Sequence, residues 1–254
     1  MIKFMKKYFK LYNYQNKLLE YLAKLLTAAI SKFENRINNS NDKKSQYEPI
    51  FIVGSPRTGS TILYELLTNE MDILYPNNFS WRFYRNFLFS FIFSNKIFKN
   101  KAHNCFDSKH GDTLNCGWDA PSECGTFWRK WIDIDNKNFY DFDSLTQKQK
   151  NEIKEDIYSV INYFDKPILF KNLVTGQMMR VLSQIFPNAK FIFVKRDTLL
   201  TAQSILKAKR KNNMNDEQYW SIKPSNYQEL KNIKNPYEQI VKQIYYIEKQ
   251  IVED

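Results

Sequence analysis

Gly54-Ser55-Pro56-Arg57-Thr58-Gly59-Ser60-Thr61 decides how this chain is read. It follows the apolar run Pro49 to Val53 and leads into Ile62-Leu63-Tyr64-Glu65-Leu66-Leu67, a helix-like stretch. An apolar strand, a glycine-bearing turn rich in hydroxyls and an amphipathic helix together make an anion cradle. Backbone N–H groups and the positive end of the helix converge there on one phosphate. The residues therefore predict a site for a phosphorylated nucleotide, since a plain turn needs fewer glycines and hydroxyls.

The glycine spacing is that of the Walker A loop, G-x-x-x-x-G-K-[ST]. Gly54 and Gly59 keep that spacing, but Ser60 stands where the loop lysine should be, and Arg57 is the only cation in the turn. The substitution weakens an ATP or GTP hydrolase reading. A guanidinium in the turn still offers a fixed fork of donors to a phosphate or a leaving-group oxygen. A second segment, Lys190-Phe191-Ile192-Phe193-Val194-Lys195, reads as a buried parallel strand running into Arg196-Asp197 and a helix. Ser204 lies eight residues beyond Arg196, just over two helical turns, so the two side chains can face one anion.

In order, type and spacing these two segments resemble the sulfotransferase superfamily, whose enzymes move a sulfuryl group from 3'-phosphoadenosine 5'-phosphosulfate (PAPS) to a hydroxyl or amine. Pro56 to Thr61 match its P-[RK]-[ST]-G-[ST]-[ST] loop for the 5'-phosphosulfate, and Arg196 with Ser204 match its 3'-phosphate grip. Bacterial sulfotransferase-like proteins are similar further along, at Trp118-Asp119-Ala120-Pro121-Ser122-Glu123-Cys124-Gly125 and Phe170-Lys171-Asn172-Leu173. The resemblance implies that Ser55, Pro56, Arg57, Thr58, Gly59, Ser60, Thr61, Arg196 and Ser204 bind PAPS and its product adenosine 3',5'-bisphosphate. It gives Arg57 and Lys171 catalytic roles.

The histidine base of cytosolic sulfotransferases is absent, because Leu173 occupies its place. Glu123 is the expected base, as in branches that use a glutamate, with His110 second. Pro121-Ser122-Glu123 also reads as a plain helix start. The resemblance extends to a glycan or glycolipid acceptor, and no nucleic-acid partner is expected. Sulfotransferases continue past the 3'-phosphate helix into a segment that closes over the donor. This chain stops in the helix Pro236 to Asp254, so that segment is expected either to lie outside the chain or to be lost, and donor binding to be weaker for it. The same strand and loop leave open a nucleotide kinase or NTPase, with Asp197 as a mimic of its acidic strand end, and a non-catalytic nucleotide-binding protein.

The expected fold class is α/β, a three-layer αβα sandwich with a central parallel sheet, like the P-loop NTPases. Strands are predicted at Ile50-Val53, Ile73-Tyr75, Ile168-Phe170 and Phe191-Val194, and helices over 59–69, 80–99, 147–163, 176–186 and 197–211. Ligands of such sheets sit at the strand C-terminal ends, where Gly54-Ser60, Lys171 and Arg196 all fall. The run Trp81 to Phe98 is too short and too interrupted to span a bilayer, and reads as a core helix or as a wall of an apolar acceptor site.

At 254 residues the chain suits one such domain over 47–254. Residues 1–46 read as an amphipathic helix, with apolar positions 4, 8, 11, 18, 22, 25 and 29, followed by the polar linker Asn38 to Gln46. That helix is expected to pack on the domain or rest on a membrane surface, in a protein that is cytoplasmic or membrane-peripheral. The net charge of +11 suits a multiply anionic donor or a solvated basic surface. Cys105, Cys116 and Cys124 are odd in number and match no zinc spacing, so they are expected to be reduced thiols, and no metal is expected even with His103 and His110 nearby.

Overall fold

The structure is a computed structural model that describes residues 27, 30–39, 44–98, 102–106, 113–132, 145–216 and 218–254. The expected amphipathic stripe from position 4 to 25, position 29 and His110 lie outside the described residues. The expected linker is helical at its start, because a helix over 30–39 runs on through Asn38 and Asn39.

Three parallel strands form the sheet in the order β2-β1-β3: β1 Ile50–Gly54, β2 Leu169–Lys171 and β3 Lys190–Val194. Phe51 of β1 stands opposite Phe170 on one side and Phe191 on the other, and Gly54 opposite Val194. Because side chains alternate along a strand, Phe51 and Val53 enter one core and Ile52 the other. All three are fully buried, as a doubly covered parallel strand requires. On the Ile52 face lies α1, Ser60–Glu70, which brings Tyr64 against Ile52 and Leu169.

The larger core, on the Phe51 face, is closed by helices whose apolar residues recur at helical spacing. α2 spans Asn78–Arg82, α3 Phe87–Phe98 and α4 Gly125–Trp128. α5, Gln147–Phe164, starts in a capping box between Thr146 and Gln149 and buries Ile153, Ile157, Val160 and Ile161. α6 is Met179–Ile185, and α7, Thr198–Lys211, is capped by the Asp197 carboxylate, which accepts from Leu200 N–H at 2.9 Å. α8 is Tyr227–Leu230. α9, Pro236–Glu253, starts with an Asn235 cap and a proline in its first turn. It aligns Ile240 and Ile244 on the α7 side and Ile247 and Ile251 on the sheet core.

Three local expectations are corrected. Ile73-Tyr75 is no full strand: Leu74 alone bridges Ile168, because Pro76 and Pro167 supply no N–H with which to extend the ladder. The helix expected over 80–99 breaks at Phe83–Asn86 into α2 and α3, and the Glu34 carboxylate caps the second piece by accepting from Phe89 N–H at 2.8 Å. The stretch expected as helix over 176–186 is a 3₁₀ turn, Leu173–Gln177, followed by α6.

The thiols need a further correction. Cys105 and Cys116 form a disulfide, and only Cys124 is a free cysteine among the described residues, its thiol pushed by burial up to about 12. Sequence spacing could not show the pairing, which depends on how Asn78 clamps the second cysteine's neighbourhood. Its side-chain amide donates to Thr113 O at 2.9 Å and Gly117 O at 2.7 Å. The first cysteine is fixed by His103, whose Nδ1 accepts from Cys105 N–H. That contact assigns the ring proton to Nε2, 2.9 Å from Thr68 Oγ1.

Burial pushes the His103 pKa below 6.5. An imidazole held neutral in the fold binds its proton more readily once unfolded, so stability is complete above pH 6.5 and falls as the pH drops through 6.5 toward the folded value. Urea unfolding at pH 7.5 and 5.5 should show that loss. A His103→Gln variant should lose much less between the two values, and an identical loss would show that other groups cause it.

Candidate functional site

β1 is the middle strand, and its C-terminal end opens between Lys171 at the end of β2 and Arg196 just beyond β3. The loop from Gly54 to Gly59 fills that opening. A Cβ on Gly54 would stand 2.5 Å from Val194 O, so only glycine lets the loop leave so close to β3. Gly59, at φ 96°, begins α1 without a side-chain cap. Gly59 has no side chain with which to cap the first-turn N–H groups, and no acidic residue sits in that turn, the arrangement that favours an anion.

Between these glycines Arg57 adopts φ 67°, a left-handed conformation that costs a non-glycine residue about 1–2 kcal/mol. Its Nε donates to Ser204 Oγ at 3.2 Å, while Nη1 of Arg196 donates to Arg57 O at 3.3 Å. The two motifs, separated by 147 positions between Arg57 and Ser204, thus meet side chain to side chain. Pro56, Arg57, Gly59, Ser60, Thr61 and Arg196 line one cavity of about 410 Å3. Such a volume is ordinary for a small-molecule site.

Three of the residues expected at the donor do not line that cavity: Ser204, which meets it only through Arg57, and Ser55 and Thr58. Thr58 turns back so that its hydroxyl donates to Ser55 O at 3.0 Å, and the Ser55 hydroxyl is fully buried without a hydrogen-bond partner among the described residues. The contribution of these two is to the shape of the turn.

Lys171 and Glu123 line the same cavity and form an ion pair. The lysine is buried, 3% exposed, whereas the carboxylate is 31% exposed and reaches the opening. Asn172 fixes the pair by donating from its side chain to Glu123 O at 3.1 Å. Tyr64 supports it from α1, its hydroxyl lying 3.2 Å from Pro76 O and 3.4 Å from Ser122 O. Burial holds that phenol well above its ordinary pKa of 10.0, so it remains a donor. Glu123 precedes Cys124, which has a left-handed φ of 45° and begins α4. Its carboxylate is turned to Lys171 rather than spent as a helix cap.

Sequence reasoning missed several walls of the cavity. Glu65, 1% exposed on α1, could have been noticed as a carboxylate within an otherwise apolar stripe. Phe106 reaches the cavity next to the disulfide, and Trp220 with Ser221 comes from the segment after α7. Nothing local in the sequence signals those three. Among the described residues no group of three or more His, Cys, Asp or Glu is placed to hold a metal ion.

A strand–loop–helix at the end of a central parallel strand, joined to an arginine and a serine from the neighbouring β3–α7 unit, is the arrangement that the sulfotransferase resemblance implies. Residues 49–252 match the model of the sulfotransferase family, and the chain belongs to that family. It is 25% identical over 171 residues to the omega-hydroxy-beta-dihydromenaquinone-9 sulfotransferases Stf3 of Mycobacterium bovis and Mycobacterium tuberculosis. The match covers 62% of this chain and spans 44% of those relatives' length. In fold the chain resembles sulfotransferase STF9 of Mycobacterium avium, with TM-score 0.52, 13% identity, and coverage of 90% of this chain and 60% of the other.

Proposed function

We propose that this protein transfers a sulfuryl group from PAPS to an acceptor hydroxyl. The observation that carries the reading is the convergence of Arg57, Arg196, Lys171 and Glu123 around one cavity, with Ser204 bonded to Arg57 behind it. Three cations and an uncapped helix start suit a donor with several negative charges.

In this reading Arg57 and the N–H groups of the first turn of α1 stabilise charge growing on the leaving phosphate oxygen. Sulfuryl transfer, like phosphoryl transfer, is catalysed largely by positioning and charge stabilisation. Lys171 has three ammonium donors, of which one holds Glu123, leaving others for the transferred group. Glu123 takes the acceptor's proton as the acceptor oxygen bonds to sulfur and the bond from sulfur to the phosphate oxygen breaks. Arg196 and Ser204 hold the 3'-phosphate.

The acceptor hydroxyl is expected on a glycan or a lipid-linked molecule. Ile62, Leu173 and Phe106 on the cavity wall support an acceptor with an apolar body, in keeping with the menaquinone in the relatives' name. A nucleotide kinase is disfavoured by Ser60 in the loop-lysine position and by Asp197, whose carboxylate caps α7.

Isothermal titration with adenosine 3',5'-bisphosphate and with ATP–Mg²⁺, followed by transfer of labelled sulfate from PAPS to lipid and glycan extracts, tests the reading. Binding of the bisphosphate and labelling of an acceptor are expected. Tight binding of ATP–Mg²⁺ with none of the bisphosphate would sink it, and bisphosphate binding without transfer to any extract would leave a non-catalytic nucleotide-binding protein.

A further inference from the structure

We propose that the outer face of α3, with the turn before it and Trp118, docks onto an anionic lipid surface. The inference is independent of the sulfuryl-transfer reading. α3 has the sequence FLFSFIFSNKIF and is apolar around nearly its whole circumference. One side, with Phe87, Leu88, Phe91 and Ile92, fills the main core. The opposite side carries Phe89, Phe93 and Ile97 at i, i+4 and i+8, and of these Phe93 is 42% and Ile97 48% exposed. A surface helix needs only one apolar face to fold, so the second has another use.

The second face is a continuous aromatic surface rather than a scatter of single residues. Phe79 is buried at its centre, with ring centroids 4.6 Å from Phe83, 5.6 Å from Phe93 and 5.9 Å from Trp118, while Phe89 stacks on Phe93 at 5.3 Å. Trp118 is itself 40% exposed among the described residues.

Charge selects the occupant. Between Phe79 and Phe98 the chain carries Arg82, Arg85 and Lys96 and no Asp or Glu, while of the carboxylates beside this face Glu34 is engaged by Phe89 N–H and Asn86, and Asp119 follows Trp118. Arg82 and Arg85 bracket Phe83, and Lys96 lies beside Ile97 on the exposed side of α3. Aromatic rings with interspersed cations of one sign match the acyl–headgroup boundary of an anionic bilayer. The protein surface would lie on that boundary: α3 has 12 residues, and no helix among the described residues is long and apolar enough to cross a membrane.

Flotation of the full chain with vesicles of equal phosphatidylcholine and phosphatidylglycerol is the test. The chain should float with these vesicles and bind pure phosphatidylcholine at least tenfold more weakly. A Phe93→Glu/Ile97→Glu variant should lose at least tenfold in binding. Each cation contributes about fivefold near an anionic surface, so Arg85→Glu/Lys96→Glu should lose at least twentyfold (about 5 × 5). Both variants should titrate adenosine 3',5'-bisphosphate, or failing that melt, as the parent does, which separates lost docking from lost folding. The proposal is overturned if the parent does not float. It is equally overturned if both variants float undiminished while Lys6→Glu/Lys7→Glu does not, which would assign the contact to the N-terminal segment. Light scattering that shows a dimer dispersed by Phe93→Glu/Ile97→Glu, with no flotation, would assign the face to a second copy of the chain.

Discussion

Arg57→Ala should reduce sulfuryl transfer by about 10²–10³-fold, the range seen when one preorganised donor to a developing oxyanion is removed. Affinity for adenosine 3',5'-bisphosphate should fall less, by about 10–100-fold, because a charge-assisted bond contributes about 1.5–3 kcal/mol. Stability should behave differently. At φ 67° the Arg57 backbone is strained, so Arg57→Gly is expected to melt no lower than the parent although it transfers no better than the alanine variant. Steady-state transfer, titration calorimetry and thermal melting on the same preparations check all three. Near-normal turnover in either variant would remove Arg57 from the site.

Glu123→Ala is expected to have the second large effect, and it should appear in both activity and stability. Removing the carboxylate takes away the proposed base, worth about 10²–10⁴ in rate. It also leaves the Lys171 ammonium, 3% exposed, without the carboxylate that balances it. Breaking a buried pair from one side typically costs about 3–5 kcal/mol, and the exposure of Glu123 places this pair near the lower end. In Glu123→Ala/Lys171→Met the stranded charge is gone, so the melting temperature should recover while transfer does not. If the double variant melts as low as Glu123→Ala, the loss comes from the fold around Asn172 and not from the buried charge. If Glu123→Ala alone transfers normally, another group is the base, and Glu65 on the same cavity wall is the first to test.

The architecture was legible where local pattern and global position agree. The run before Gly54 and the run before Arg196 are short, apolar and followed by helix signals, and they became β1 and β3. The loop from Gly54 to Gly59 was legible because its glycines answer local backbone needs that one segment already displays. Phe83–Asn86 was not, because the helix break is stabilised from outside by Glu34, 55 residues away from Phe89 in the chain. The Cys105–Cys116 pairing failed for a similar reason, since the clamp that brings Cys116 into place is an asparagine on α2. Glu123 could be read as a carboxylate near the site, but its pairing with Lys171 is a tertiary fact. Trp220 and Phe106 reach the cavity on irregular segments, where no periodicity announces which side chains turn inward.

The bond from Arg196 to the Arg57 carbonyl makes the loop after β1 and the end of β3 one mechanical part. If those segments hold the two phosphate-bearing ends of the proposed donor, the ligand meets a frame already set. On that reading the contact would act as a ruler, favouring the separation between two anionic groups over their number.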